Sequence, residues 1–170
     1  MGLDIVHRQL LGAAALCIAA AAAGCTMVKN PVEPGPGDID SSIIASASAV
    51  CVDEVNRLRA AAGDPPLTRS ATIDAFSAEA ARVDGTAHEA HRHFLATNGG
   101  PGISMAENVI PWWKVSQYGS VETIVRKGVA MMWAEGDSGY HYVNMRGRYT
   151  QMGCGIAVIN GEVTVSQDFR

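Results

Sequence analysis

Residues 154–169 read CGIAVINGEVTVSQDF, and this stretch decides the fold. Cys154, Ile156 and Val158 alternate along the chain, Asn160-Gly161 follows, and Val163, Val165 and Gln167 alternate again toward Phe169. Successive side chains of a strand point to opposite faces, so a period of two marks a strand with one face on a core. Asn-Gly between two such runs readily adopts the positive φ that a tight primed turn needs at both central positions. The stretch predicts a C-terminal antiparallel β-hairpin.

Working back from the hairpin, the periodicity becomes helical. Ser41 and Ser42 cap a helix that presents Cys51, Val52, Val55, Leu58 and Ala62 and stops at Gly63. Asp64-Pro65-Pro66-Leu67 is extended, because each proline restricts the residue before it. A second helix from about Ser70 to Val83 buries Ile73, Phe76, Ala80 and Val83. Residues 87–96 (AHEAHRHFLA) form a short third helix, and Gly99-Gly100-Pro101-Gly102 is a loop. Residues 120–135 form a further helix, with Ser120 as N-cap and Val121, Ile124, Val125, Gly128, Met131 and Met132 on one face. Helices first and a hairpin last, without a βαβ rhythm or an internal repeat, place residues 41–170 in the α+β class as a sandwich.

The rest of the chain is of a different kind. Residues 10–24 (LLGAAALCIAAAAAG) carry no charge, are too short to span a bilayer, and have the length of a signal-peptide core. Ala22-Ala23-Gly24-Cys25 resembles a bacterial lipobox, in which the cysteine receives lipid; Ala22 stands where Leu is usual. Residues 1–24 are read as a lipoprotein-type signal peptide, with plain secretion as the alternative. Residues 25–40, with Pro31, Pro34, Gly35, Pro36 and Gly37, form a flexible tether. The expected location is the bacterial cell envelope, through a lipid on Cys25, or the extracellular space. With 13 Lys+Arg against 17 Asp+Glu, the chain lacks the basic excess that nucleic acid calls for. Of four cysteines, only Cys51 and Cys154 remain in the folded part, either as a disulfide or as two buried thiols.

Several motifs carry less than they promise. Gly136-Asp137-Ser138-Gly139 looks like a trypsin-type nucleophile loop, but this chain cannot supply two β-barrels. His88-Glu89-Ala90-His91 spaces its histidines three apart, whereas the zinc-protease helix needs four. Trp112-Trp113 closes a core edge or stacks on a ligand. Four titratable residues stand at element edges: His91, Glu107, Glu135 and His141. Two imidazoles can bind Zn²⁺ while the carboxylates orient the rings or hold a water, and the same set can act in acid–base chemistry.

The order of the segments from about Ile44 to Phe169 resembles the CAP superfamily (cysteine-rich secretory proteins, antigen 5 and plant pathogenesis-related proteins, or SCP-like domains). The segments are Asn56-Arg57-Leu58-Arg59 with Pro66-Leu67, Ala106-Glu107-Asn108-Val109, Met132-Trp133-Ala134-Glu135, Tyr140 to Met145, Gly153-Cys154-Gly155 and Gln167-Asp168-Phe169. The resemblance implies an α-β-α sandwich with a cleft of two histidines and two glutamates. Matched residue by residue, Glu107 and Glu135 are the candidate catalytic carboxylates. His91 is favoured over His88 and His93 by Ala90-His91-x-x-Phe94. Gly147-Arg148-Tyr149-Thr150 reads like the eukaryotic Gly-His-Tyr-Thr with arginine replacing the histidine, but it abuts Gly153-Cys154; the bacterial spacing points to His141. The implied ligands are a divalent cation at His91 and His141 and a small molecule, lipid or protein partner, with a metal-assisted hydrolase of peptides or cell wall as the alternative.

Overall fold

A computed structural model describes residues 39–170; the expected signal peptide, Cys25 and the expected tether as far as residue 38 lie outside the described residues. The hairpin forms as its pattern requires. Strands β3 (Gln151–Ile159) and β4 (Glu162–Phe169) pair antiparallel, and Asn160 and Gly161 take φ of 52° and 79° in the turn. Strand β2 (Ala106–Lys114) pairs antiparallel with the other side of β4, and the two-residue β1 (Thr68–Arg69) runs parallel to β3, giving the order β1-β3-β4-β2. Beyond β1 the edge of β3 is satisfied by side chains: Cys154 N donates to Asp74 Oδ1 and Ser48 Oγ donates to Cys154 O.

The pleat of β4 divides the molecule. Val163, Val165 and Phe169 join a core with α1 (Ser41–Ala61) and α5 (Val121–Ala134), including Cys51, Val55, Ile124 and Val125. Thr164, Ser166 and Asp168 face the other way, toward α2 (Ala71–Ala87), where Ser77 Oγ donates to Asp168 Oδ2 at 2.6 Å. The result is the expected α-β-α sandwich, with α1 and α5 on one face and α2 on the other. A disulfide joins Cys51 to Cys154 across the α1 side, with Cα atoms 6.2 Å apart. Closing a loop of 103 residues stabilises the fold by about 5 kcal/mol in the chain-entropy account.

Three helices complete the set: α3 (Arg92–Thr97), α4 (Val115–Tyr118) and α6 (Tyr140–Arg146), with a 3-10 turn at Gly136–Ser138. Helices α4 and α6 and strands β1 and β2 go beyond the sequence pattern. The third helix starts at Arg92 instead of residue 87, because α2 continues to Ala87 and His88 and His91 take positive φ. Strand β2 reads AENVIPWWK, which has no period of two. It is an edge strand interrupted between Ile110 and Trp113, around Pro111, where a residue without an N–H is tolerated. Individual burial also differs from expectation. Arg59 is buried where Leu58 is half-buried and Ala62 exposed, and Asp84 is buried where Val83 is half-buried. Met131 is 61% exposed instead of facing the core.

Helix α2 lies directly on β3. A Cβ on Gly155 would stand 1.9 Å from the Ser77 carbonyl carbon, so no side chain fits there without moving the helix. Gly155→Ala is expected to cost about 3 kcal/mol or more, the upper range for overpacking. At Gly161 nothing lies within 4 Å of a Cβ, so Gly161→Ala is expected to cost only about 1 kcal/mol for its positive φ. Urea denaturation of both variants distinguishes the close approach from ordinary glycine loss.

Candidate functional site

The first half of the site is built from a carboxylate on the apolar stripe of α2. Asp84 is fully buried and accepts the backbone N–H groups of His91 at 2.7 Å and His93 at 3.0 Å. This pins the turn after α2, where His91 takes φ of 64°, and aims its imidazole at β2. There His91 Nδ1 meets Glu107 Oε1 at 2.9 Å. The other oxygen, Glu107 Oε2, accepts from Ser166 Oγ at 2.7 Å, and Ser166 also lies 3.1 Å from Asp168 Oδ2. Three buried acids therefore surround one imidazole.

Their electrostatics follow from that crowding. The hydrogen bond to Glu107 holds the His91 pKa above its ordinary value, against the opposing effect of burial. Burial raises Asp84, opposed by the two backbone N–H donors. Burial, together with the neighbouring Glu107 charge, pushes Asp168 up to about 7, and its Oδ1 has no hydrogen-bond partner.

The second half sits at the end of α5. His141 Nδ1 lies 2.6 Å from Glu135 Oε1, and His141 N donates to Glu135 Oε2 at 3.3 Å. Gly139 lies under this glutamate: a Cβ there would stand 2.2 Å from Glu135 Cβ. Both side chains are about one-third exposed, unlike the buried Glu107. Two asparagines join the halves. Asn108 Nδ2 donates to His141 O at 3.1 Å, while Asn144 Nδ2 reaches Asn108 Oδ1 at 2.9 Å and Glu107 O at 3.3 Å.

The four residues singled out in the sequence thus form two His–Glu pairs bridged through Asn108 and Asn144. Each carboxylate holds Nδ1 of its histidine, which leaves both Nε2 atoms for another partner. Among the described residues no group of three or more His, Cys, Asp or Glu converges on one metal position. His88 turns away to Glu162 at 3.0 Å, and His93 packs on Phe76 with ring centroids 4.9 Å apart. Arg148 is exposed and lines a different pocket, with Arg59 and Arg146.

Beside the Glu135–His141 pair runs an apolar groove of about 380 Å³, lined by Ile110, Pro111, Trp113, Met131 and Met132 among others. Gly128 lets α5 press against Ile110, whose Cδ1 lies 2.2 Å from where a Cβ would be. Trp113 stacks on Tyr118 at 4.7 Å and packs against the core while also lining the groove. Trp112 parts from it through a positive φ of 52° and lies against His88. Asp84, Asn108, Asn144, Ser166 and Asp168 were not among the site residues expected from the sequence, although Asn108, Asn144 and Asp168 stand in the segments that carry the family resemblance. Asp84 had a signal, because Ile73, Ser77, Ala80 and Asp84 share one helical face.

The cysteine-rich secretory protein (CAP) family is matched over residues 52–169. The chain belongs to this family. Among solved structures, the CAP domain described here is similar to a cysteine-rich secretory protein from Staphylococcus aureus subsp. aureus Mu50, at 14% identity and a TM-score of 0.49. That match covers 74% of this chain and 39% of the other, so the chain spans well under half of that protein's length. No curated protein matches the chain.

In the CAP domain, Asp168 and His91 both hold protons more tightly when folded than when unfolded. A native state that binds extra protons loses stability as the pH rises through those values. For Asp168 the loss runs from the ordinary 3.8 up to about 7, and for His91 it runs from 6.5 up to its raised value. Calorimetric unfolding temperatures are expected to fall as the pH rises from about 4 through about 7. Asp168→Asn, which does not titrate, is expected to flatten the lower part of that fall.

Proposed function

We propose that the chain is an exported, lipid-anchored CAP-domain protein whose His/Glu cleft binds a divalent cation together with a small ligand of apolar body. The observation that carries the reading is the groove of about 380 Å³ with the partly exposed Glu135–His141 pair in its wall. Apolar lining with a few fixed polar groups is the usual construction of a small-molecule pocket. Export rests on the residues 1–24 pattern and the anchor on Cys25 after its run of small residues.

The donor set suits a cation such as Zn²⁺ in one respect: a carboxylate on Nδ1 fixes ring orientation and raises the basicity of Nε2. His91 and His141 would be the holding residues. When bound, the cation would supply a positive centre for an anionic or carbonyl group of the ligand. The binding reading is preferred to a metal-assisted hydrolase because both carboxylates are engaged. Glu107 is held by His91 and Ser166, and Glu135 by the ring and backbone of His141.

Titration of the full chain with Zn²⁺ at neutral pH, followed by calorimetry, is expected to show saturable binding that His141→Ala abolishes without changing the circular dichroism spectrum. Absence of zinc uptake by the unaltered chain would overturn the cation part. For the groove, Nile red is expected to bind with enhanced emission and to lose about tenfold in affinity in Met131→Glu, a charge set into an apolar lining.

A further inference from the structure

The fold sets Arg59 on the inner side of α1, and the sequence places a second arginine pair, Arg146 and Arg148, around Gly147. The fold brings all three to one pocket of about 360 Å³, which Asp64 and Tyr149 also line. Arg59 is 2% exposed. Its Nε donates to Pro65 O at 2.9 Å, and its Nη1 donates to Met145 O at 2.6 Å and Gly147 O at 3.2 Å. All three acceptors are neutral carbonyls, two of them at the C-terminal end of α6. The carboxylate nearest to hand, Asp64, is taken up by Arg146 through bonds of 2.6 Å and 3.0 Å. Arg148 is exposed and has no ion pair among the described residues. Three guanidiniums thus face one carboxylate, which leaves two positive charges without a counter-charge.

Buried charges are normally paired. The carbonyls explain the Nε and Nη1 of Arg59, but its Nη2 has no acceptor among the described residues. They explain nothing about Arg148. Burial lowers the Arg59 pKa, opposed by the Asp64 charge and reinforced by the neighbouring Arg146, so the single carboxylate is shared between two guanidiniums. By occupying the Met145 and Gly147 carbonyls, Arg59 also removes the negative helix-end atoms that would repel an anion. The ring of Tyr149 lies directly over Gly147, where a Cβ would approach it to 2.3 Å, so the pocket wall there is backbone and ring.

We propose that this pocket is an oxyanion site that takes a phosphoryl group, with Arg59 Nη2 and Arg148 as its donors and the Arg146–Asp64 pair as its fixed wall. Guanidinium forks match phosphate oxygens in geometry, and a phosphate monoester carries close to two negative charges at neutral pH, the number left unmatched here. The phosphoryl group can belong to a soluble phosphorylated molecule or to a phospholipid headgroup. The proposal does not depend on the His/Glu cleft.

The test is a titration of the isotope-labelled full chain with inorganic phosphate at constant ionic strength, with chloride as the reference anion. Saturable shifts are expected at Arg59 Nε and at the amides of Gly147 and Tyr149. Affinity is expected to fall about tenfold or more in Arg148→Glu, the loss of one charge-assisted contact. It is expected to be unchanged in Arg57→Glu, an exposed arginine paired with Glu54. No saturable shift, or the same weakening in both variants, would overturn the proposal. Vesicles of phosphatidic acid in phosphatidylcholine then separate the sources. Recruitment above pure phosphatidylcholine that is lost in Arg148→Glu assigns a headgroup. Phosphate binding with equal recruitment to both assigns a soluble ligand.

Discussion

Strand β4 is buried along both faces from Val163 to Phe169, and the rest of the molecule is arranged around what that burial demands. On the α1 and α5 side the demand is met by Val163, Val165 and Phe169 with the aliphatic core. On the α2 side the same strand carries Thr164, Ser166 and Asp168, and polar groups removed from water need partners. Ser77 from α2 and Glu107 from β2 supply them, and Glu107 in turn holds His91. The buried half of the candidate site is therefore an outgrowth of the polar face of the central strand. It depends on α2 lying close enough for Ser77 to reach across, which the missing side chain of Gly155 permits.

The two His–Glu pairs share a connectivity but not an environment. His91 meets a buried glutamate whose hydrogen bond raises the histidine's pKa against burial, while burial itself raises the neighbouring Asp84 and Asp168. His141 meets a glutamate at the surface beside an apolar groove, where solvent screens the pair. Asn108 and Asn144 tie the two together without carrying charge, a rigid link that leaves each pair its own electrostatics.

Much of the fold was legible because it rests on local rules. The alternation around Asn160-Gly161, the cap at Ser120 and the helical spacing of Ile73, Phe76 and Ala80 each report on a few neighbouring residues. Strand β2 was not legible, since Pro111 and the mix of Glu107, Asn108 and Trp112 hide its period; it is a strand only because β4 offers it an edge. Arg59 was read past for a related reason. A charged residue on a buried helical face is tolerated only where carbonyls from distant segments converge, and α6 supplies two of them.

For the candidate site, the residue types and their order along the chain named His91, Glu107, Glu135 and His141. Cys51 and Cys154 were named as the two cysteines left to the domain, with their pairing open. Sequence by itself determined the element types near the hairpin, the acidic balance of the chain and which side chains could do chemistry. Tertiary structure decided who meets whom: that His91 belongs to Glu107 and His141 to Glu135, that Cys51 joins Cys154, and that three arginines share one pocket. The reason is physical. Element type follows from interactions a few residues apart, whereas pairing and proton affinity follow from burial and contacts between segments that only folding brings together.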